Sequence, residues 1–294
     1  MHWALAETRQ MIVSLNPCLD ADEYILTGSR PLGLEEQKLI SKAQVVLLPQ
    51  GCSRDLYAAC VAAGPAIFPE YGPRFSFPGK VGQNLLFERH RLPHPRTLTW
   101  RASGRFLAAL EKNPLIHPRP FMVKRNFGHE GYGVFFIEDD SSLTAAMDAV
   151  SAVGAHEDGA FITQDFVPPG GAALRIVIIG SRTISYWKRS HSKKDRIATI
   201  YRNAVIDHHW KPELQAAGIE LCRTLSLRTG INLAAVDLVF PLEEPNPAPL
   251  LLEINYFFGR RGLGGSENFY HLLLKAVREW LSRLGLDPLR VRPA

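Results

Sequence analysis

Two short apolar runs near the carboxyl-terminal end of the chain, residues 233–240 and 250–255, flank a proline-rich segment. Runs rich in Leu, Val and Ile that are bounded by Pro and Asn predict two strands joined by a chain reversal. Both runs nevertheless carry polar side chains, Asp237 in the first and Glu253 and Asn255 in the second. Because successive side chains of a strand point to opposite faces, Glu253 and Asn255 share one face, about 6–7 Å apart.

An antiparallel pairing of these strands would bring Asp237 beside Glu253 and Asn255. Two carboxylates and an amide supply only oxygen donors, which suits Mg²⁺ held by few protein groups and completed by phosphate oxygens. The alternative is that Asp237 and Glu253 are buried acids paired with nearby arginines, since structural ion pairs are common. We favour the metal site, because the three side chains occur as a set and a loop suited to phosphate occurs earlier in the chain.

Periodicity and chain breakers predict an α+β (α/β) protein. We expect helices over residues 55–63, 81–91, 106–112, 141–150, 212–229 and 267–284, and strands over 11–15, 45–48, 66–68, 120–124, 134–137, 161–167, 174–179 and 183–189. The dense prolines and glycines between residues 69 and 79 predict a boundary, with a small α/β lobe over 1–79 before it.

A strand, a glycine-rich loop and a second strand are predicted over residues 120–137. Gly128, Gly131 and Gly133 tolerate positive φ and leave backbone N–H groups accessible, so such a loop can fold over phosphates. Lys124, at the end of the first strand, supplies a positive charge for them. The segment is neither a Walker A loop nor a dinucleotide fingerprint, because no Gly-Lys-Ser/Thr opens a helix and a strand follows the loop. A hairpin with a G1 bulge is the alternative.

Two further features on predicted strands carry candidate chemistry. Residues 164–167 end a strand at a Pro-Pro-Gly-Gly break, where exposed backbone groups could pair with an adenine edge, although an ordinary strand end explains the pattern equally well. Arg175 and Arg189 interrupt otherwise apolar strands. Such cations either extend to a solvated rim or face an anion.

Composition excludes several classes of protein. With 294 residues, of which 46% are hydrophobic, the chain can bury a large core. No apolar run approaches the roughly 20 residues of a membrane span, and the first residues lack the order of a secretory signal, so we expect a cytoplasmic protein. The four cysteines lack paired spacing, which argues against a zinc site or a disulfide framework.

The chain has a net charge of +5. Much of the excess positive charge lies between residues 182 and 211, a segment that contains eight basic residues and two acidic ones. Such a patch attracts polyanions of any kind, so charge alone does not choose between nucleotide phosphates, anionic substrates and a solvated face. No recognised nucleic-acid motif accompanies it, and we expect no nucleic-acid partner.

The order of these parts resembles the ATP-grasp superfamily, and most closely its RimK-type branch of peptide-forming glutamate ligases with their glutathione-synthetase-like relatives. The resemblance rests on Lys80 at the opening of a helix, on Lys124 before the glycine loop, and on the set formed by Asp237, Glu253 and Asn255. Any one of these features alone would be weakly specific, whereas their combination and order are characteristic.

The resemblance covers about residues 80–284 and implies a pre-ATP-grasp lobe over 1–79 and an ATP-grasp domain over 80–294. Two subdomains, 80–165 and 166–294, would grip ATP between them. The residues implied to contact the nucleotide are Lys80, Lys124, Gly128, Gly131, Gly133, Gln164, Asp165, Phe166, Val167 and Lys188. Those implied to hold metal are Asp237, Glu253 and Asn255; those near the γ-phosphate and acyl phosphate are Arg175 and Arg189; and Arg202 would line the substrate side.

The implied chemistry is ATP-dependent ligation of a carboxylate to an amine, with Mg²⁺, or Mn²⁺ as an alternative, as the metal. The γ-phosphoryl group passes to the carboxylate, and the amine then displaces phosphate from the acyl phosphate. The substrates would be small-molecule or peptide carboxylates and amines, and relatives are often homo-oligomers. Alternative functions are a nucleotide-binding regulatory or scaffold protein that lacks ligation, and a nucleic-acid binder that uses the basic segment.

Three departures from the RimK-type pattern all fall toward the substrate side. Ala173 occupies the position, two residues before the strand arginine Arg175, at which an acid is usual. After Arg202, an Asn-Ala pair replaces the usual Gly-Gly. After the Glu-x-Asn, Tyr-Phe-Phe-Gly-Arg-Arg replaces Ser-Pro-Gly. We therefore expect an unusual acceptor, whose carboxylate Arg260 and Arg261 could hold in a bidentate manner. A solvent-exposed pair is the alternative.

Overall fold

The computed structural model describes residues 11–28, 30–128, 132–152, 159–190 and 204–294. These residues fold into an amino-terminal lobe and two α+β subdomains, each built on a sheet of its own. Within the described residues, every helix is too short or too polar to cross a lipid bilayer.

The elements of the amino-terminal lobe are β1 (Ile12–Ser14), β2 (Leu19–Asp20), β3 (Glu23–Tyr24), α1 (Leu34–Lys42), β4 (Val45–Leu47), α2 (Arg54–Ala63), β5 (Ala66–Phe68) and α3 (Gly72–Ser76). Four strands form a parallel sheet in the order β3-β1-β4-β5. Ser53 caps the start of α2 by accepting from the Leu56 N–H, and Gly64 ends that helix with a φ of +87°. The predicted strands β1, β4 and β5 are confirmed, whereas α1 and α3 were not predicted.

The elements of the next subdomain are α4 (Gly79–Arg89), β6 (Thr97–Trp100), α5 (Ser103–Lys112), β7 (Phe121–Arg125), β8 (Val134–Ile137), α6 (Asp140–Ser151) and β9 (Phe161–Asp165). Its antiparallel sheet has the order β6-β9-β7-β8. Phe106 of α5 packs edge to face against Phe121 and Phe161 of the sheet, with both pairs of ring centroids 6.1 Å apart. The predicted strand, loop and strand over 120–137 are confirmed as β7 and β8.

The elements of the last subdomain are β10 (Ala172–Ile179), β11 (Arg182–Arg189), β12 (Val205–Asp207), α7 (Pro212–Thr229), β13 (Leu233–Val239), β14 (Leu250–Asn255), α8 (Ser266–Arg283) and β15 (Arg292–Pro293), with short 3-10 turns at Arg261–Leu263 and Pro288–Arg290. Five strands form an antiparallel sheet in the order β12-β11-β10-β13-β14. Helix α7 packs on one face and α8 on the other. Since both faces are covered, every residue of β10 is buried except Arg175, which explains its nearly continuous apolar run.

One hydrophobic core joins the amino-terminal lobe to the last subdomain. Ile12 and Phe68 of the lobe belong to the same buried cluster as Leu233 of β13 and Leu273 of α8. The end of the chain also returns to the lobe, where β15 pairs with β2. We therefore propose that residue 79 separates two parts of the sequence that share one hydrophobic core in the folded protein.

Gly82 of α4 provides a test of this packing. A Cβ at Gly82 would lie 2.2 Å from the carbonyl carbon of Phe77, whose backbone cannot move aside easily. Although replacing glycine by alanine inside a helix ordinarily stabilises it by up to about 1 kcal/mol, we expect Gly82→Ala to lower the free energy of unfolding by about 1–3 kcal/mol. Urea unfolding followed by circular dichroism would measure the change.

Gly104→Ala in α5 is the matched control, because nothing lies within 4 Å of a Cβ at that position. It should be neutral or slightly stabilising. Equal effects of the two substitutions would contradict the close approach of α4 to the segment before it.

Candidate functional site

Asp237, in the middle of β13, accepts hydrogen bonds from three neighbouring side chains. Arg175 donates from Nε to Oδ1 at 2.8 Å and from Nη2 to Oδ2 at 2.6 Å. Lys188 donates from Nζ to Oδ1 at 2.8 Å, and Asn255 donates from Nδ2 to Oδ2 at 3.3 Å. The predicted approach of Asp237 to Asn255 is confirmed. The alternative, in which Asp237 pairs with an arginine, is confirmed together with it.

The register of the sheet brings these side chains together. Asp237 lies opposite Arg175 of β10 on one side and opposite Glu253 of β14 on the other. Lys188 of β11 lies opposite Ala173, two residues before the strand arginine. Opposed residues of neighbouring strands share a face of the sheet, so the cluster occupies a single face.

Burial and the attraction between opposite charges have opposing effects on the pKa values of Asp237 and Lys188. Desolvation alone would raise the pKa of Asp237, but Lys188 and Arg175 outweigh it, so the pKa of this carboxyl lies well below its usual range. Burial lowers the pKa of Lys188 to about 8, even though the attraction of Asp237 raises it. The acid is therefore ionised at neutral pH, and burial keeps the pKa of the lysine below its ordinary value.

Lys80, at the start of α4, connects Glu253 to the glycine loop. Its Nζ lies 3.2 Å from Glu253 Oε1 and donates to the Gly128 carbonyl oxygen at 3.3 Å. Asn126 fixes the start of the helix, because its carbonyl oxygen accepts from Lys80 N at 2.9 Å and its Oδ1 accepts from Val81 N at 3.0 Å. Since Asn126 directly follows β7, the helix start is held beside the end of that strand.

Lys124 of β7 faces the same region from the sheet of the preceding subdomain. Its Nζ donates to Gln164 Oε1 at 2.6 Å, and Gln164 Nε2 donates to Thr97 Oγ1 at 2.8 Å. Burial lowers the pKa of Lys124 to about 8, while Glu253 acts to raise it and Lys80 to lower it further. Lys80, Lys124 and Glu253 are thus close enough to influence one another electrostatically. The two lysines belong to one subdomain and the glutamate to the other.

The two described ends of the glycine loop require glycine for steric reasons. Gly128 and Gly133 have φ values of +152° and +74°. A Cβ at Gly128 would lie 2.6 Å from the Tyr132 carbonyl oxygen, and one at Gly133 would lie 2.9 Å from Arg125 Cδ. Gly131, the third glycine predicted to contact nucleotide, lies outside the described residues.

The predicted adenine hinge, residues 164–167, uses its side chains within the protein. Asp165 Oδ1 lies 2.5 Å from Nδ1 of the buried His117. Phe166 packs edge to face against Phe136, with centroids 4.9 Å apart, and Val167 is half-buried just beyond β9. A ligand at this position would therefore contact the hinge through backbone groups.

Arg189 lies apart from the cluster, contrary to the expectation that it accompanies Arg175. It directly follows Lys188 in β11, so its side chain points to the opposite face of the sheet. There it pairs with Asp207 Oδ2 at 2.8 Å and lies over the ring of Trp210, 4.7 Å from the centroid. The structure brings Lys188 to Asp237 and leaves Arg189 on the other face.

The predicted substrate arginines Arg260 and Arg261 differ in exposure, Arg260 being half-buried and Arg261 exposed. Arg260 donates to Tyr270 Oη at 2.8 Å and to Gln50 Oε1 at 3.3 Å, which ties the segment after β14 to α8 and to the amino-terminal lobe. Arg261 is exposed, and Arg202 lies outside the described residues. Neither Arg260 nor Arg261 forms a bond to the Asp237 cluster.

Gln83 contributes to the site in a way that the sequence analysis missed. Its Nε2 donates to the Ile254 carbonyl oxygen at 2.9 Å, and its Oε1 accepts from Ile254 N at 2.8 Å. Because β14 is an edge strand, Gln83 replaces the partner strand that the edge lacks. The only signal in the sequence is that Gln83 lies three residues after Lys80, on the same side of a helix.

Residues 81–265 match the model of the RimK-like ATP-grasp domain. The chain belongs to this family. The resemblance inferred from the motifs is therefore confirmed, and so is the ATP-grasp fold, because solved ATP-grasp proteins superpose on the structure. A RimK domain ATP-grasp protein from Sphaerobacter thermophilus covers 90% of this chain and 97% of its own, with a TM-score of 0.57 and 16% identity. The VanG D-Ala:D-Ser ligase of Enterococcus faecalis covers 80% and 72%, with a TM-score of 0.59 and 15% identity.

Curated relatives of this RimK-like chain carry the name probable alpha-L-glutamate ligase. The protein from Halorhodospira halophila is 21% identical over 68% of this chain and 66% of its own length. The protein from Xanthomonas oryzae pv. oryzae is 28% identical over 51% of this chain and 48% of its own length. The chain thus spans between about half and two thirds of the length of these relatives.

The donor set at the cluster fits a hard divalent cation. The described residues hold no group of three or more His, Cys, Asp and Glu side chains placed for a metal. Asp237, Glu253 and Asn255 instead offer two carboxylates and an amide on one face of two paired strands. This small all-oxygen set suits a hard cation whose remaining positions are filled by phosphate oxygens.

The edge clamp formed by Gln83 gives a testable prediction. Gln83→Leu leaves the N–H and the carbonyl of the buried Ile254 without their partner, so we expect the free energy of unfolding to fall by about 1–3 kcal/mol. The Ile254 amide should exchange with solvent faster, which hydrogen-exchange mass spectrometry would measure. Gln37→Leu is the control, because exposed Gln37 makes a single bond, to the Leu32 carbonyl oxygen. Unchanged exchange in β14 would refute the clamp.

Proposed function

We propose that this RimK-like chain is an ATP- and Mg²⁺-dependent ligase that joins a carboxylate to an amine, with an amino acid or peptide as acceptor. The convergence of Asp237, Glu253 and Asn255 on one face of the sheet, beside Lys80, carries the proposal. The names of the relatives, probable alpha-L-glutamate ligases and a D-Ala:D-Ser ligase, support it.

In this proposal the nucleotide lies between the subdomains 80–165 and 166–294. Lys80 and Lys124 would hold its phosphates together with Lys188 and the glycine loop, and residues 164–167 would hold the adenine edge. Asp237, Glu253 and Asn255 would hold Mg²⁺, whose charge would offset the negative charge that builds in the transition state.

The reaction that these groups support needs no protein nucleophile. A substrate carboxylate oxygen attacks the γ-phosphorus and ADP departs; the amine then attacks the acyl carbon, loses a proton, and phosphate departs. Arg175 and the lysines neutralise charge and orient the reactants. Cysteine catalysis is disfavoured at three of the four thiols, since burial raises the pKa of Cys52 to about 12, of Cys60 to about 11 and of Cys222 to about 12.

We further propose that the partners are small-molecule or peptide carboxylates and amines, that no nucleic acid takes part, and that the protein acts in the cytoplasm. Mn²⁺ could replace Mg²⁺ at an all-oxygen site of this kind. A homo-oligomeric state, which the family resemblance implies, is part of the same proposal.

Glu253→Ala tests the ligase. We expect it to abolish phosphate release that depends on amino-acid or dipeptide pools in the presence of ATP and Mg²⁺, because an oxygen ligand is lost. The fold should be retained, since the Glu253 side chain is 33% exposed and contributes one ion pair. Release of free phosphate and circular dichroism would measure the two effects.

Glu243→Ala, at an exposed position in the turn after β13, is the matched control and should keep full activity. ATP binding by the wild-type protein without release on any pool would favour a nucleotide-binding protein that lacks ligation. Binding to random DNA that persists at physiological salt would favour the nucleic-acid alternative.

Nucleotide affinity should depend on pH, because the phosphates would meet lysines with a lowered pKa. Burial lowers the pKa of both Lys124 and Lys188 to about 8, and a nearby triphosphate favours the charged form and raises both. Binding of ATP at pH 8 should therefore take up protons, and affinity should fall between pH 7 and 9, by up to about tenfold per pH unit for each lysine.

Lys124→Arg keeps its charge throughout this range, so it should take up roughly half as many protons as the wild type. Calorimetric titration with ATP and Mg²⁺ in buffers of different ionisation enthalpy would measure the number. Lys112→Arg, at an exposed position at the end of α5, should behave as wild type. Proton uptake that is unchanged in Lys124→Arg would exclude Lys124 from the phosphate site.

A further inference from the structure

A cavity of about 330 Å³ lies between the amino-terminal lobe and the end of β14. Arg54, Arg74 and Phe75 line it from the lobe, and Asn255 and Phe257 line it from the strand end. Its volume is at the low end of the roughly 300–1,000 Å³ of small-molecule sites. Its occupant would therefore be small.

The two arginines carry a charge that the described residues leave unbalanced. Arg54 opens α2 and donates from Nη2 to the Phe75 carbonyl oxygen. Arg74, half-buried in α3, donates from Nη1 to the Cys52 carbonyl oxygen at 3.0 Å. In the part of the chain that the structure describes, neither forms an ion pair with a carboxylate. Each guanidinium has five N–H donors, so the pair retains donors for an anion.

The ring of Phe75 lies beside both guanidinium groups. The Phe75 ring centroid lies 5.4 Å from Arg54 Cζ and 5.0 Å from Arg74 Cζ. Phe127 and Phe257, which also line the cavity, are 43% and 74% exposed. Large apolar side chains that remain exposed around a cavity are typical of a binding surface. The cavity therefore combines a cationic wall with an aromatic mouth.

The cavity adjoins the proposed reaction centre. Asn255 lines it from β14, and Gly79 and Gln83 line it from α4, on either side of Lys80 in the sequence. A small molecule whose carboxylate is held by Arg54 and Arg74 would have its remaining groups, including an amine, in the same cavity as Asn255. The carboxylate at the arginines is then a recognition group, distinct from the group that reacts.

We propose that this cavity binds a small substrate through a carboxylate and an aromatic or bulky apolar side chain, as in an amino acid of the phenylalanine type. Its role as a substrate site rests on the proposed ligase function, whereas binding itself does not. Arg54 and Arg74 would then bind the carboxylate that the sequence analysis assigned to Arg260 and Arg261.

Calorimetric titration of the full chain with L-phenylalanine, L-alanine and 2-phenylethylamine, each with and without ADP and Mg²⁺, tests this proposal. Phenylalanine should bind at least about tenfold more tightly than alanine, which lacks the ring, and than 2-phenylethylamine, which lacks the carboxylate. Arg74→Gln and Phe257→Ala should each weaken phenylalanine binding by about tenfold or more, and Arg54→Gln provides a second arginine variant if Arg74→Gln does not fold. Arg105→Gln, exposed on α5, should bind as the wild type does.

Equal affinity for phenylalanine and 2-phenylethylamine would overturn the proposal, as would undiminished binding in both arginine variants. Absence of phenylalanine binding at millimolar concentration would overturn it as well. Phenylalanine binding that depends on Arg74, in a protein that releases no phosphate on any substrate pool, would uphold this site and contradict the ligase function alone.

Discussion

The partly buried carboxylate of Asp237 is the constraint on which the arrangement of the last subdomain depends. Placing an ionised acid in a sheet that is covered on both faces costs several kcal/mol of desolvation. The fold offsets this cost with the guanidinium of Arg175, the ammonium of Lys188 and the amide of Asn255. These partners come from three other strands, so each contact forms only when the register across β11, β10, β13 and β14 is correct. Charges retained in such surroundings are typical of functional sites, and here the same acid serves register and proposed metal binding.

Local periodicity accounts for the part of the site that could be predicted. Polar residues in two apolar strands joined by a turn are sufficient to bring Asp237, Glu253 and Asn255 to one face, because alternation and antiparallel pairing leave few other arrangements. The strand, glycine loop and strand around Lys124 follow from equally local rules. Helix α1 was not predicted, and Ile40 is its one buried residue.

The parts that could not be predicted depend on contacts between segments distant in sequence. Gln83 contacts Ile254 across a subdomain junction. Arg54 and Arg74 line the same cavity as Asn255 only because the amino-terminal lobe shares a core with the last sheet. Arg189 is a different case. Strand alternation places adjacent residues on opposite faces, so Lys188 and Arg189 could not both face Asp237, and Lys188 is the one that does.

Helix α4 gives the two subdomains a common mechanical element. Its first turn binds the side chain of Glu253 through Lys80, and one turn later Gln83 binds the backbone between Glu253 and Asn255. The start of the same helix is held by Asn126, at the end of the strand that carries Lys124. A displacement of α4 relative to the edge strand would therefore change the proposed metal ligands and the lysines together. The positions of the proposed metal ligands and the distance across the cleft are consequently coupled, which would suit the proposed ligase, because it would hold ATP and two substrates in fixed positions.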